Sequence, residues 1–237
     1  MTAGRAPRLL VEAGLHGDGF ALVGGTDEVG RGALCGPVSV GVVVVDRDAG
    51  RPPRGLRDSK LLSPVERERL VPRIVRWVRC HAVGHASAAE IDEVGIIAAL
   101  RLAGHRALDA LPERPQCVLL DGNHDYLTHP GPAPAGAAAC PQVRTVVKAD
   151  LHCASVAAAS VLAKTTRDAI MVDLAAVHPG YGWEVNKGYA TPAHVRALRE
   201  QGPSAQHRVS WRLPGLAVAE DRLEETDGME ALGTHEL

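Results

Sequence analysis

Short apolar runs of strand length alternate along this chain with longer stretches of helical period. Ala21, Leu22 and Val23 lead into Gly24-Gly25-Thr26-Asp27-Glu28, and Pro37 to Val45 is almost wholly apolar, as a buried strand is. These runs predict strands at about 20–27 and 37–45, followed by an Arg/Pro/Gly loop over 46–57. Ser63-Pro64-Val65-Glu66 predicts a capping box, with Pro64 in the first turn, opening a helix to about Trp77. A strand near 79–87 follows. Ser87 or Ala88 then leads into a helix through Ile91, Ile96, Leu100 and Ala107. Cys117 to Leu120 is a short buried strand that stops at Asp121-Gly122. Residues 128–141 form an Ala/Pro/Gly loop, and Val143 to Val147 is a further strand closing at Lys148-Ala149-Asp150. Ala154 to Val177 predicts one long helix, whose small residues permit close packing on a sheet. A last helix runs from Pro192 to Glu200. Alternation of this kind predicts an α/β domain.

Three of these strands end in carboxylates: Asp27/Glu28, Asp121 and Asp150. Strand ends are where ligands bind in open α/β sheets. Neighbouring strand residues point to opposite faces, so Asp27 and Glu28 share a site only if the strand ends or bulges between them, which the glycines favour. A lone strand-end Asp is usually a turn former or helix cap. Several that converge repel one another unless cations sit among them. Oxygen-only ligands of this kind suit magnesium or manganese rather than zinc.

The 237 residues are 46% hydrophobic with a formal net charge of -2, enough for one large domain but not for a globally basic nucleic-acid binder. Five cysteines form no C-x-x-C pair, which argues for a reducing compartment. No cationic start with an apolar run and no bilayer-length apolar stretch is present. A cytoplasmic chain with no membrane association is expected. The histidines near Cys80, Asp125 and Cys153 lack zinc-finger or H-E-x-x-H spacing and read as surface or packed residues.

Among 26 Lys+Arg, lysine occurs only at Lys60, Lys148, Lys164 and Lys187. Coding bias explains arginine wherever any cation serves, but not where the exceptions fall. Each lies in a distinctive string: Asp58-Ser59-Lys60, Lys148-Ala149-Asp150, Ala163 to Asp168, and Asn186-Lys187-Gly188-Tyr189. A compact ammonium differs physically from a planar guanidinium, so these are candidate sites where the difference matters.

Taken together the strings resemble the bacterial ribonuclease HII family of the RNase H superfamily. They are DEVGRG at 27–32, DSK-LLS at 58–63, LLDGN at 119–123, KAD at 148–150, SVAAASVLAKTTRD at 155–168, NKGYATPAH at 186–194 and HRVSW at 207–211. The resemblance implies a mixed five-stranded sheet flanked by helices, with a helical C-terminal part. It divides the chain into a lead-in (1–19), a catalytic domain (20–215) and a tail (216–237). It also implies an endonuclease that cuts the RNA strand of RNA–DNA hybrids and cuts duplex DNA 5′ to an embedded ribonucleotide. Carried over, Asp27, Glu28, Asp121 and Asp150 are the metal-binding catalytic carboxylates. Gly30, Arg31 and Gly32 form the loop touching the ribonucleotide, and Tyr189 packs on the sugar at the RNA–DNA junction. Lys60, Lys148, Lys164 and Ser160 are phosphate-side residues, and Asp168 is a support residue at a helix end. Two Mg2+ or Mn2+ ions about 3.5–4 Å apart would activate water and steady the leaving oxygen. The products would be a 3′-hydroxyl and a 5′-phosphate.

KAD stands where many bacterial relatives have KGD, and the loop from Asn123 to Val143 is long and rich in Pro, Ala and Gly. No sliding-clamp peptide with paired aromatics is evident, and a monomer is expected. Two other readings are a catalytically silent hybrid-binding protein of the same fold and another superfamily nuclease, such as a junction resolvase or a transposase-like domain. A binder gains nothing from massing negative charge beside phosphate, and the GRG loop with Asn186-Lys187-Gly188-Tyr189 argues against the second. From Glu220 onward the chain is acidic and poor in apolar residues, the composition of a mobile tail. The lysine pattern carries its own test. Lys60→Arg, Lys148→Arg and Lys164→Arg keep charge and change shape. At least two should lower activity more than an Arg101→Lys control does, and equal behaviour of all four would reduce the pattern to chance.

Overall fold

The computed structural model describes residues 6–131 and 139–216. Its elements are α1 (Leu10–Gly17), β1 (Leu22–Val29), β2 (Val38–Asp46), a 3-10 turn (Ser59–Leu61), α2 (Pro64–Trp77), β3 (Cys80–Ala86), α3 (Ala88–Asp109), β4 (Cys117–Asp121), β5 (Gln142–Val146), α4 (Ala149–His152), α5 (Ala154–Val177), α6 (Trp183–Asn186) and α7 (Pro192–Gln201). The strands form one mixed sheet in the order β3-β2-β1-β4-β5. β1 pairs antiparallel with β2, β2 antiparallel with β3, and β1–β4 and β4–β5 run parallel. This is the five-stranded sheet flanked by helices that the resemblance implied.

The sheet is covered on both sides, which is why β2 reads as a continuous apolar run. Val38, Val40, Val42 and Val44 pack with Ile91, Ala99, Leu100, Ala103 and Ala107 of α3. Val43 and Val45, with Val23 and Leu119, pack with Val156, Ala157, Val161 and Leu162 of α5. Leu34, Cys35 and Met171 form a third cluster with Tyr181, Trp183, Ala197, Leu198 and Leu213 of the C-terminal part.

The capping box expected at Ser63 closes, and a second forms at Ser87. The Ser63 side chain accepts from the Glu66 amide and the Ser87 side chain from the Glu90 amide, with each glutamate reaching back. Gly95 interrupts α3 at φ 76° and ψ 161°.

The segment read as a weakly patterned lead-in contains α1. Leu15, Leu9 and Val11 pack it on the core, and one buried polar contact that no apolar pattern reveals ties it to α5. The Glu12 carboxylate, fully buried, accepts from Ser155 N at 2.9 Å and Ser155 Oγ at 2.7 Å. It sits at the start of α5, where Cys153 provides no side-chain cap, and its burial raises its pKa against the pull of the Ser155 bonds. The acidic stretch beyond Ala217 lies outside the described residues, as does the middle of the 128–141 loop.

Helices reach the sheet closely because glycines leave room for them. A Cβ on Gly41 would fall 2.6 Å from Ala159 O of α5, and one on Gly84 would fall 2.0 Å from Ala103 O of α3. Neither obstacle is a flexible side chain. Gly41→Ala and Gly84→Ala should each cost about 1–3 kcal/mol or more, the range of overpacked cores. Gly50→Ala has open space around it and should change stability by less than about 0.5 kcal/mol. Chemical denaturation of the three variants checks the ordering.

Candidate active site

β1 does not end or bulge between Asp27 and Glu28, contrary to the expectation from the sequence. Its pairing with β2 runs unbroken through Asp27–Gly41, Glu28–Val40 and Val29–Ser39. The two carboxylates thus leave opposite faces. What lets them serve one place is a gap in the sheet: the β1–β4 ladder stops at Thr26–Leu120. Past that point β1 has an open edge beside the end of β4, where Asp121 lies. The Asp121 charge disfavours ionisation of both Asp27 and Glu28.

Asp150 also departs from the expectation. It is not at a strand end, since β5 stops at Val146, but in the first turn of the short helix α4. Lys148 enters that turn in the left-handed region at φ 57°, and Asp121 Oδ1 accepts from Ala149 N at 2.7 Å. One carboxylate of the cluster therefore builds the turn that presents the next.

Three of these carboxyls are held above their ordinary range. Burial pushes the Asp27 carboxyl up to about 8, with Glu28 and Asp121 adding to the rise and Ser160 and Lys60 opposing it. Asp150 is raised to about 6, by burial first and then by Asp121 and Asp58. Glu28 is raised by burial, against the pull of Arg31, whose guanidinium lies 3.6 Å away. Lys60 loses charge stability through burial, but Asp27, Asp58, Asp150 and Asp121 outweigh this and hold its pKa above the usual value. All the facing donors are oxygens, and the cations nearby do not neutralise them. This donor set and this uncompensated charge fit hard divalent cations.

The other predicted residues divide. Lys60 and Lys148 are exposed near the cluster. Ser160 is 2% exposed, 2.8 Å from Ser59 Oγ and 3.4 Å from Asp58 Oδ1; it faces the interior rather than a phosphate. Lys164 pairs with Asp168 at 2.7 Å, and Arg67 approaches the same carboxylate at 3.6 Å. Asp168 supports this pair from within α5 rather than from its end. Tyr189 is half-buried, its ring centre 5.8 Å from Lys164 Nζ and 5.6 Å from Arg167 Cζ. Gly30 is buried at φ 83°, and a Cβ there would fall 2.0 Å from Arg167 Nε. Arg31 and Gly32 are exposed, and nothing lies within 4 Å of where a Gly32 Cβ would be.

Three residues escaped the sequence reading. Asp58 is 6% exposed, caps the 3-10 turn and raises Asp150; its place in the DSK string was its only signal. Tyr126 is buried, and burial first, then the Glu28 and Asp27 charges, raise its pKa. Arg208, in HRVSW, reaches the carbonyls of Gly30 and Arg31.

Cys35, His194 and His207 are buried with ligand atoms within 4.8 Å of one another. Hydrogen bonds account for them. His194 Nδ1 donates to Tyr189 O, so its Nε2 accepts, and Trp183 Nε1 donates to it at 3.1 Å. His207 Nδ1 accepts from Ser204 N and its Nε2 faces His194 Nε2 at 3.1 Å. The lone pair a metal would need is in use, and burial holds both rings neutral, His207 being lowered to about 4.

A mixed sheet in this strand order, with carboxylates converging beside its central strand, is the plan of a ribonuclease H-like nuclease. Ribonuclease H2 from Pyrococcus horikoshii superposes with a TM-score of 0.64 at 27% identity, over 87% of this chain and 99% of that one. At the level of the fold, so does Bst-RNase HIII in complex with Mn2+, with a TM-score of 0.56 at 23% identity over 88% and 70% of the two chains. Ribonuclease HII of Streptomyces avermitilis is 49% identical over 193 residues, 81% of this chain and 78% of the relative. The chain belongs to the ribonuclease HII family, whose family description matches residues 24–213. It is an endoribonuclease of the kind that degrades the RNA of RNA–DNA hybrids. No helix among the described residues is long and apolar enough to cross a membrane.

The raised carboxyls set a pH dependence. Asp27 binds its proton more tightly in the folded state than in the unfolded chain. Its contribution to stability is full below about pH 4 and is lost as pH rises through about 8. Asp150 acts in the same direction through about 6. In chelator, the Tm should therefore fall from about pH 4 to 8, and divalent cations should restore it. Asp27→Asn should raise the metal-free Tm at pH 8 by about 4–8 °C, taking about 2 kcal/mol at 2–4 °C each. A variant no more stable than wild type there would refute this account of the cluster.

Proposed function

We propose that Asp27, Glu28, Asp121 and Asp150 hold two divalent cations, and that the chain cuts both RNA–DNA hybrids and duplex DNA at an embedded ribonucleotide, 5′ to it. The observation that carries this reading is the convergence of four carboxylates, three of them raised by burial and by one another beyond what the nearby cations offset. A catalytically silent hybrid binder of the same fold would carry that charge beside phosphate for no return. Bound Mg2+ or Mn2+ would supply a nucleophilic water and charge neutralisation at the leaving oxygen, without a protein nucleophile.

The remaining roles fall to side chains and backbone. Asp121 fixes the α4 turn and with it Asp150. Lys60 lies where it offsets charge between the carboxylates and an incoming phosphate. Lys148 and Lys164 extend the cationic side of the groove. Only the 2′-hydroxyl tells RNA from DNA at one nucleotide. Reading it calls for close backbone approach, which the open surface at Gly32 allows. Tyr189 supplies the flat face on which the sugar packs, and Ser160 orders the Asp58–Lys60 turn behind the site. Hydrolysis leaves a 3′-hydroxyl and a 5′-phosphate.

Cleavage of duplex DNA carrying one ribonucleotide is the direct assay. Asp27→Asn and Asp150→Asn should abolish cutting while substrate binding persists, and near-wild-type turnover by Asp121→Asn would refute the ligand set. On the same duplex Tyr189→Ala should lose more than Tyr189→Phe. The loss should stay at or below about 1–3 kcal/mol, the scale of base stacking on an aromatic. Equal rates for Ala and wild type would remove Tyr189 from the site.

A further inference from the structure

Two arginines lie almost wholly buried where the GRG loop meets the C-terminal part. Arg167 of α5 and Arg208 of the 207–211 segment each have 0% exposure. Among the described residues neither forms an ion pair with a carboxylate. Their donors go instead to backbone oxygens. Arg208 Nη2 donates to Gly30 O at 2.7 Å and Gly36 O at 3.1 Å, and its Nη1 to Arg31 O at 2.9 Å. Arg167 Nε donates to Pro37 O at 2.8 Å, its Nη2 to Cys35 O at 3.2 Å and its Nη1 to Lys187 O at 3.0 Å.

A buried guanidinium is costly unless its donors are satisfied, so this arrangement needs a reason. The carbonyls chosen supply one. Five of them belong to residues 30–37, and the sixth lies two residues before Tyr189. In a trans peptide the carbonyl and the following amide point in opposite directions. Drawing the Gly30 and Arg31 carbonyls inward therefore turns the Arg31 and Gly32 amides outward, and no cis peptide occurs among the described residues. Neither amide has an acceptor among the described residues. Arg167 joins the same loop to the Lys187 carbonyl, and Leu34 N donates to Gly188 O at 2.8 Å. Arg208 is itself anchored: its backbone amide donates to Leu34 O, its guanidinium lies 4.7 Å from the Trp211 ring, and the neighbouring Val209 and Ser210 amides donate to Asp92 of α3.

We propose that Arg167 and Arg208 are positioning residues that lock the 30–37 loop and the Tyr189 loop into one ribose-reading unit, with the Arg31 and Gly32 amides set outward as donors. This rests on the reading of Gly30–Gly32 and Tyr189 as the ribonucleotide contacts. The fork shape of the guanidinium is what matters. A lysine at either position keeps the charge but cannot bridge three carbonyls.

Arg208→Lys and Arg167→Lys test it on two substrates, a continuous RNA–DNA hybrid and duplex DNA with one ribonucleotide. A hybrid offers a 2′-hydroxyl at every register, whereas the lone ribonucleotide offers one. Loosening the unit should cost about tenfold or more in kcat on the lone ribonucleotide, with KM little changed. The hybrid should lose less than about threefold, because a misplaced loop can use a neighbouring register. Equal losses on both substrates would mark the arginines as general supports and overturn the proposal, as would wild-type behaviour on both. A wild-type protein that cuts hybrids but never the lone ribonucleotide would overturn the underlying reading, and the clamp with it. Should neither variant fold, amide exchange of the free wild-type protein decides. Leu34 and Gly36 should be as protected as the β2 core, and loop-like exchange there would overturn the clamp.

Discussion

Asp27, Glu28, Asp121 and Asp150 repel one another, and the fold holds them together regardless. The place where it does so is set by a missing strand pairing. β1 keeps β2 through Val29 but loses β4 after Thr26, so carboxylates from opposite faces reach around one open edge. β1 itself stays regular, and the left-handed turn falls at Lys148, ahead of Asp150. The cost appears in the acids, with Asp27 raised to about 8 and Asp150 to about 6. A stable domain would not choose such a cluster for its own sake, since stability and site draw on the same charges in opposite senses.

Positive charge is treated in the opposite way. Arg167 and Arg208 are buried on backbone carbonyls instead of acids, while Lys60 and Lys148 stay exposed near the acids. An Arg–carboxylate pair in the interior would have cancelled both fields. By keeping the two signs on different parts of the sheet end, the molecule leaves an acidic site and a cationic flank for a phosphate chain to bridge. This also explains why a net charge of -2 is compatible with a nucleic-acid substrate: the field that matters is local.

The strands and long helices were legible because their signals are periodic or capped. β2, α2, β4 and α5 fall within a residue or two of their predicted limits, since apolar runs and capping boxes are local properties. α1 was not legible, because Glu12 holds it through Ser155, 143 residues away. α4 was hidden for a related reason: Lys148 must turn left-handed, and only the Asp121 bond to Ala149 shows why it does. Within the candidate site, the acids were read from the ends of apolar runs and from the family strings. Asp58, Tyr126 and Arg208 were missed because a buried polar residue looks like any surface one until its neighbours are known.

The element that makes these distant parts one site is α5. Its start is held by Glu12 at Ser155, and Ser160 meets Ser59 and Asp58 behind the acids. Lys164 and Asp168 follow as an ion pair, Arg167 binds the GRG loop, and Met171 enters the C-terminal cluster. From Ser160 to Arg167 a helix rises about 10 Å, at about 1.5 Å per residue. One unbroken helix therefore sets the spacing between the acids and the GRG loop. Its alanines and the glycines facing it, Gly25 and Gly41, are part of the same device, because they bring the helix axis close enough for short side chains to reach the sheet. A bulkier seam would move the scale away from the carboxylates it measures against, and the site would lose its geometry before the fold lost its core.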